Sequence, residues 1–90
     1  MQRYVIERDL TGAGKLSAAE LQEIARTSNA VLRDMPGVQW EHSYVTDRRI
    51  YCVYLADDEQ LVREHAKRGG FPCNVVTRVA SVVSPLTEFA

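Results

Sequence analysis

Ninety residues bound this chain to a single domain, with an expected core from about residue 3 to 83 and a short tail from 84 to 90. Eleven basic against twelve acidic residues leave a net charge of −1, which excludes a general nucleic-acid binder because that function needs a concentrated positive field. No apolar run approaches the ~20 residues required to cross a bilayer, so no membrane contact is expected.

The opening "MQRYVIERDL" contains no apolar segment of signal-peptide length. The two cysteines, Cys52 and Cys73, do not form a disulfide framework of the secreted kind. A reduced cytoplasmic protein is the simplest reading. A domain this small buries only roughly 60% of its unfolded surface, so association into a homo-oligomer is expected to add stability.

Alternation predicts a first strand over Arg3 to Asp9, with Tyr4, Ile6 and Arg8 on one face and Val5, Glu7 and Asp9 on the other. The segment "LTGAGK" then breaks the pattern. It ends like a phosphate loop but lacks that motif's first glycine, Asp9 standing there, and its hydroxyl, Leu16 following the lysine; it reads as a plain connection. Ser17 through Glu20 form a capping-box pattern that opens a helix. Its inner stripe is Leu21, Ile24, Ala25, Ser28, Val31, Leu32 and Met35, and Pro36-Gly37 stops it.

"VQWEHSYVT" follows as a strand, with Val38, Trp40, His42, Tyr44 and Thr46 expected on one face and Gln39, Glu41, Ser43 and Val45 on the other. Asp47-Arg48 makes a two-residue turn into "IYCVYLA", which sets Tyr44 opposite Tyr51, His42 opposite Val53 and Ser43 opposite Cys52. Asp57 is read as the cap of a second helix whose inner stripe is Leu61, Val62, His65 and Ala66, ended by Gly69-Gly70. A last strand is expected from Asn74 to Val83.

Strand, helix, strand, strand, helix, strand is an α+β arrangement: a ferredoxin-like βαββαβ antiparallel sheet with both helices on one face. The other face also carries apolar side chains. Uncovered apolar sheet faces meet partners, so a homodimer through the open sheet face is expected, of the dimeric α+β barrel type.

Four blocks in this order and spacing, "SNAVL", "VQWEHSYVTD", "IYCVYLADDE" and "REHAKRGGFP", resemble a small bacterial ferredoxin-like family long filed as a domain of unknown function. That family includes a nickel-binding protein proposed to sequester or detoxify nickel. The resemblance covers Arg3 to about Val83. It implies a dimeric ferredoxin-like fold with divalent-metal sites, nickel preferred, in a sequestration or buffering role. Cys73 and the tail from Ser84 are where this chain is expected to differ.

His42 and His65 are the sharpest ligand candidates, since neutral imidazole suits nickel, zinc and copper(II) near pH 7. If the face of Trp40 and Tyr44 is the helix-covered one, the two rings approach each other. Against this, a buried histidine is often structural. Cys52 is the weaker metal candidate: its register sends it away from His42, and a buried free cysteine more often serves as a small hydrophobe. Cys73, on a loop, reads as exposed and reactive. Glu41 is expected to face away from His42. No Cys-x-x-Cys or His-x-x-x-His spacing occurs, so the metal reading rests on the resemblance and residue type together. The alternative is a small ferredoxin-like dimeric enzyme, an oxygenase, isomerase or lyase, with a cavity between sheet and helices. His42, His65, Tyr44, Tyr51 and Tyr54 would then supply acid–base groups, although they fall on both sheet faces. No catalytic residue is assigned.

Overall fold

The computed structural model describes all residues, Met1–Ala90. Strand β1 spans Gln2–Asp9 and alternates as expected, with Tyr4, Ile6 and Arg8 buried and Arg3, Val5 and Glu7 half-buried on the other side. The connection after it does more than link elements. Gly12, in the left-handed region at φ 79°, leads into a 3-10 turn at Ala13–Lys15. There the Gly14 amide donates to the Asp47 carbonyl at 3.2 Å and the Leu10 amide to the Arg48 carbonyl at 3.0 Å. The connection thus braces the turn of the neighbouring hairpin.

Helix α1, Ala18–Leu32, opens on the predicted capping box of Ser17 and Glu20. It ends earlier than the apolar stripe: Met35 is buried in the turn that follows, not on the helix. Strands β2, Val38–Val45, and β3, Arg49–Ala56, form the hairpin around Asp47-Arg48. No glycine relaxes that turn. Instead the Thr46 hydroxyl donates to the Arg49 carbonyl at 2.8 Å and accepts from its amide at 3.2 Å.

The three expected pairs, Tyr44 with Tyr51, His42 with Val53 and Ser43 with Cys52, are all present. The face assignment of β2 is not as expected. A β-bulge between Trp40 and His42 inserts Glu41 as an extra residue. Such an insertion reverses the alternation beyond it, because side chains point to each face with a period of two. Val38, Trp40, Ser43 and Val45 therefore lie over buried residues of β3, while His42 and Tyr44 lie on the open side.

Helix α2, Glu59–Gly69, is capped by Asp58, whose carboxylate accepts from the Leu61 amide at 2.9 Å, one residue later than Asp57. Gly70 closes it in the left-handed conformation. Strand β4 is confined to Val75–Arg78, far shorter than Asn74 to Val83. Its partner β1 begins at Gln2, and the Val79 amide donating to the Arg3 carbonyl is the last rung. The chain then leaves the sheet and ends in a 3-10 segment, Pro85–Phe89, that leaves Val82, Val83, Leu86 and Phe89 exposed.

The sheet order is β2-β3-β1-β4, every pairing antiparallel, with both helices on one face: the ferredoxin-like fold. The core lies between sheet and helices, around Tyr4, Ile6, Val38, Ile50, Tyr54, Ala56 and Val62. The opposite face shows Val5, Val53, Leu55, Tyr51 and Tyr44, covered by nothing in this chain.

Candidate functional site

Two chemically distinct places arise from these elements, one on each side of the sheet. Inside, α1 stands off the strands and leaves a cavity of about 190 Å³. Leu21, Ile24, Trp40, Val45 and Ile50 supply apolar walls, and Arg8, Ser28, Ser43, Cys52 and Tyr54 supply the polar groups. Leu21 and Val45, exposed by 38% and 42%, mark its solvent side.

Arg8 is the unusual wall. Its side chain follows from the β1 alternation, which sets it beside Tyr4 and Ile6, and it is only 4% exposed. Nε donates to Cys52 Sγ at 3.3 Å, Nη2 to the Tyr54 hydroxyl at 3.3 Å, and Nη1 to the Pro72 carbonyl. The guanidinium also lies over the rings of Phe71 and Tyr54, at 5.4 and 5.9 Å from their centres. Burial works against its charge, while Tyr54 and Cys52 favour it, and the net direction of its pKa is upward. No carboxylate pairs with it: the ion pairs of the chain are made by Arg3, Arg26, Arg49, Arg63 and Arg68.

His65 sits behind this wall, fully buried on the inner stripe of α2. Nε2 and Ser28 Oγ share a hydrogen bond at 3.2 Å, and Nδ1 has no partner. The ring packs on Tyr54 and Phe71, at 5.2 and 5.9 Å between centres. Desolvation lowers its pKa first and the Arg8 charge second, with the Ser28 contact acting the other way, so the ring is held neutral. Tyr54 is pushed up, mainly by burial.

Outside, the bulge makes the second place. The Glu41 carboxylate reaches across β3 to Arg3 Nη2 at 2.8 Å, on the open face. His42, the bulge's neighbour, packs edge-on against Tyr44 with ring centres 5.0 Å apart. Glu41 and His42 therefore share a face, contrary to the expectation that Glu41 turns away. The Arg3 hydrogen bond holds the Glu41 carboxyl below the usual carboxylate range, and His42 adds in the same direction.

The three expected ligands are thus not one cluster. Cys52 and His65 lie on the helix side, and His42 on the open side, so the two imidazoles do not approach each other within a chain. The bulge is the reason, since it separates His42 from the face of Trp40. The tyrosines divide likewise, Tyr54 inside and Tyr44 and Tyr51 outside. Cys73 is half-buried and packs against the core, not exposed on its loop. Sequence reasoning set Arg8 on the face of Tyr4 and Ile6 without marking it as a site residue. Its signal was a permanent charge in phase with two core residues.

The interior does not fit nickel. It offers two donor side chains, Cys52 and His65, with the first hydrogen-bonded to a guanidinium whose charge already disfavours a proton on the second. A dication there meets the same repulsion. No group of three or more His, Cys, Asp and Glu side chains in the chain is placed to hold a metal ion. On the open face, Glu41 and His42 supply one oxygen and one nitrogen donor, with the Arg3 guanidinium on the oxygen.

A family model described as "Nickel responsive protein SCO4226-like" matches residues 4–79, from the buried tyrosine of β1 to the last rung of the sheet. The chain belongs to this family. Among solved structures, it is similar to SCO4226 from Streptomyces coelicolor A3(2), with a TM-score of 0.78 and 17% identity, over 90% of this chain and 99% of that one. At that identity the likeness establishes the fold. No curated protein matches the chain. No helix is long and apolar enough to cross a membrane.

Proposed function

We propose that this SCO4226-like protein binds nickel(II) on the open sheet face, through His42 and Glu41, in a buffering role, and that a homodimer completes the site. The observation that carries this reading is the β2 bulge, which brings an imidazole and an ionised carboxylate onto one face. The family's description as nickel responsive supports the choice of metal. One chain offers too few ligands. A twofold contact through the apolar surface of Val5, Val53 and Leu55 doubles them if its axis passes beside His42, because an isologous interface presents the same patch from both chains. Two imidazole nitrogens and two carboxylate oxygens make a donor set that suits nickel(II) or copper(II).

Metal and proton compete for an imidazole nitrogen, so nickel affinity is expected to fall in acid. Arg3 acts as the gate: its guanidinium occupies Glu41 in the metal-free chain and must be displaced. Copper is expected to bind more tightly than nickel at the same donors, and zinc more weakly than copper, so nickel selectivity follows from metal availability.

The test is a calorimetric titration of reduced, metal-stripped protein with nickel, with zinc and copper in parallel. Saturable nickel binding should vanish in His42→Ala, weaken in Glu41→Gln and persist in His65→Leu. An unchanged nickel stoichiometry in His42→Ala would remove the assignment.

A further inference from the structure

The cavity on the helix side has a property that nickel handling does not use. A guanidinium is almost completely withdrawn from water without a counter-ion in the chain. Buried charges in folded proteins are ordinarily paired, because an isolated one is costly. Here partial compensation comes from neutral groups: a thiol, a hydroxyl, a carbonyl and two aromatic faces. Three of the five guanidinium N–H donors are engaged by these contacts, which leaves one free N–H on each terminal nitrogen.

The guanidinium borders the open volume of about 190 Å³ between α1 and the sheet. None of the residues lining that volume is acidic, so nothing on its walls repels an anion or already neutralises Arg8. Most of the remaining wall is apolar, with Ile24, Ile50, Val45 and the Trp40 ring lining it. Trp40 is itself fixed there by donating Nε1 to Ser43 Oγ at 2.9 Å. Apolar cavities of about 150 Å³ accept benzene. The space here therefore suits one ring or a short branched chain, with a single anionic group at the Arg8 end.

We infer that this cavity is a binding site for a small apolar monocarboxylic acid, with its carboxylate on the Arg8 guanidinium and its hydrocarbon body between Ile24, Trp40, Val45 and Ile50. The carboxylate supplies the missing counter-charge, and charge-assisted hydrogen bonds are the strong ones. The apolar body covers walls that otherwise face water through the gap between Leu21 and Val45. A second negative charge finds no second cation among the lining residues, and this selects monoanions over diacids. The site lies on the other side of the sheet from His42 and Glu41, so it stands or falls independently of the nickel reading.

Trp40 is the sole tryptophan of the chain and lines the cavity, so its fluorescence reports occupancy directly. Metal-free protein titrated with phenylacetate should show a saturable change in Trp40 emission. The uncharged phenylacetamide, which keeps only a neutral acceptor, should bind about tenfold more weakly or worse, as expected for losing the charge on a charge-assisted hydrogen bond. Arg8→Met should erase the difference between acid and amide. Ala25→Phe, which fills the cavity from α1, keeps Arg8 and adds no second tryptophan, should suppress binding of both; it answers the question if the Arg8 variant fails to fold. Equal affinity for acid and amide in the wild type would overturn the role of Arg8. No saturable change with phenylacetate, hexanoate or benzoate would overturn the site itself.

Discussion

Lowering the pH from about 7.5 to about 5.5 should destabilise the wild-type chain more than a His65→Leu variant. The free imidazole titrates near 6.5. In the fold, burial and then the Arg8 charge push the His65 value below that, and the Ser28 contact only partly offsets them. The folded ring is therefore neutral where the unfolded ring takes up a proton. Its stabilising contribution is complete above about pH 6.5 and is lost as the pH falls towards the lower folded value. For one proton the slope cannot exceed about 1.4 kcal/mol per pH unit, so the loss over this interval is bounded at about that figure. The charged group facing the ring is Arg8 from β1; Tyr54 from β3 and Ser28 from α1 meet it uncharged. Leucine removes the titration but also removes the imidazole partner of the Ser28 hydroxyl, which costs about 1–3 kcal/mol at every pH. The assay is urea unfolding at fixed protein concentration at several pH values, read as the difference between the two proteins. A wild-type advantage that narrows on acidification is the expected result. Parallel pH profiles would show that the buried ring is not the group being titrated.

Three further outcomes follow from particular contacts. In Gly14→Ala, the new Cβ would lie 2.9 Å from Asp47 Cα, a backbone atom that cannot swing aside. A loss of about 1–3 kcal/mol is expected from such overpacking, read as a lower melting temperature. Val53→Lys places a charge in the middle of the uncovered face, beside Val5 and His42. Sedimentation should show a dimer for the wild type and a monomer for the variant; two identical profiles would refute a dimer through that face. Arg3→Gln frees the Glu41 carboxylate from its ion pair. Nickel affinity in calorimetry should rise, and a fall would mean that Arg3 supports the site instead of gating it.

Much of the fold was readable because single residues carried it. Ser17 and Glu20 fixed the start of α1, Gly70 the end of α2, and the two-residue turn at Asp47-Arg48 the hairpin register. What failed depended on a second strand. Nothing in "WEHSY" distinguishes a bulged Glu41 from a regular one, yet that residue decides which side of the sheet His42 occupies. Strand β4 stops pairing at Tyr4 of β1, which its own composition does not record. The candidate site divides in the same way. The alternation set Arg8 with Tyr4 and Ile6, and the helical stripes turned Ser28 and His65 inward. Only the assembled fold reveals that no carboxylate reaches Arg8 and that α1 leaves room in front of it.

The most direct test of the nickel reading is an anomalous difference map, recorded at the nickel absorption edge from crystals of the nickel-loaded protein. The account predicts a peak on the open sheet face, bonded to His42 and Glu41 and shared between two copies of the chain. A peak inside the domain beside Cys52 and His65 would contradict it, as would an open face with no ordered nickel.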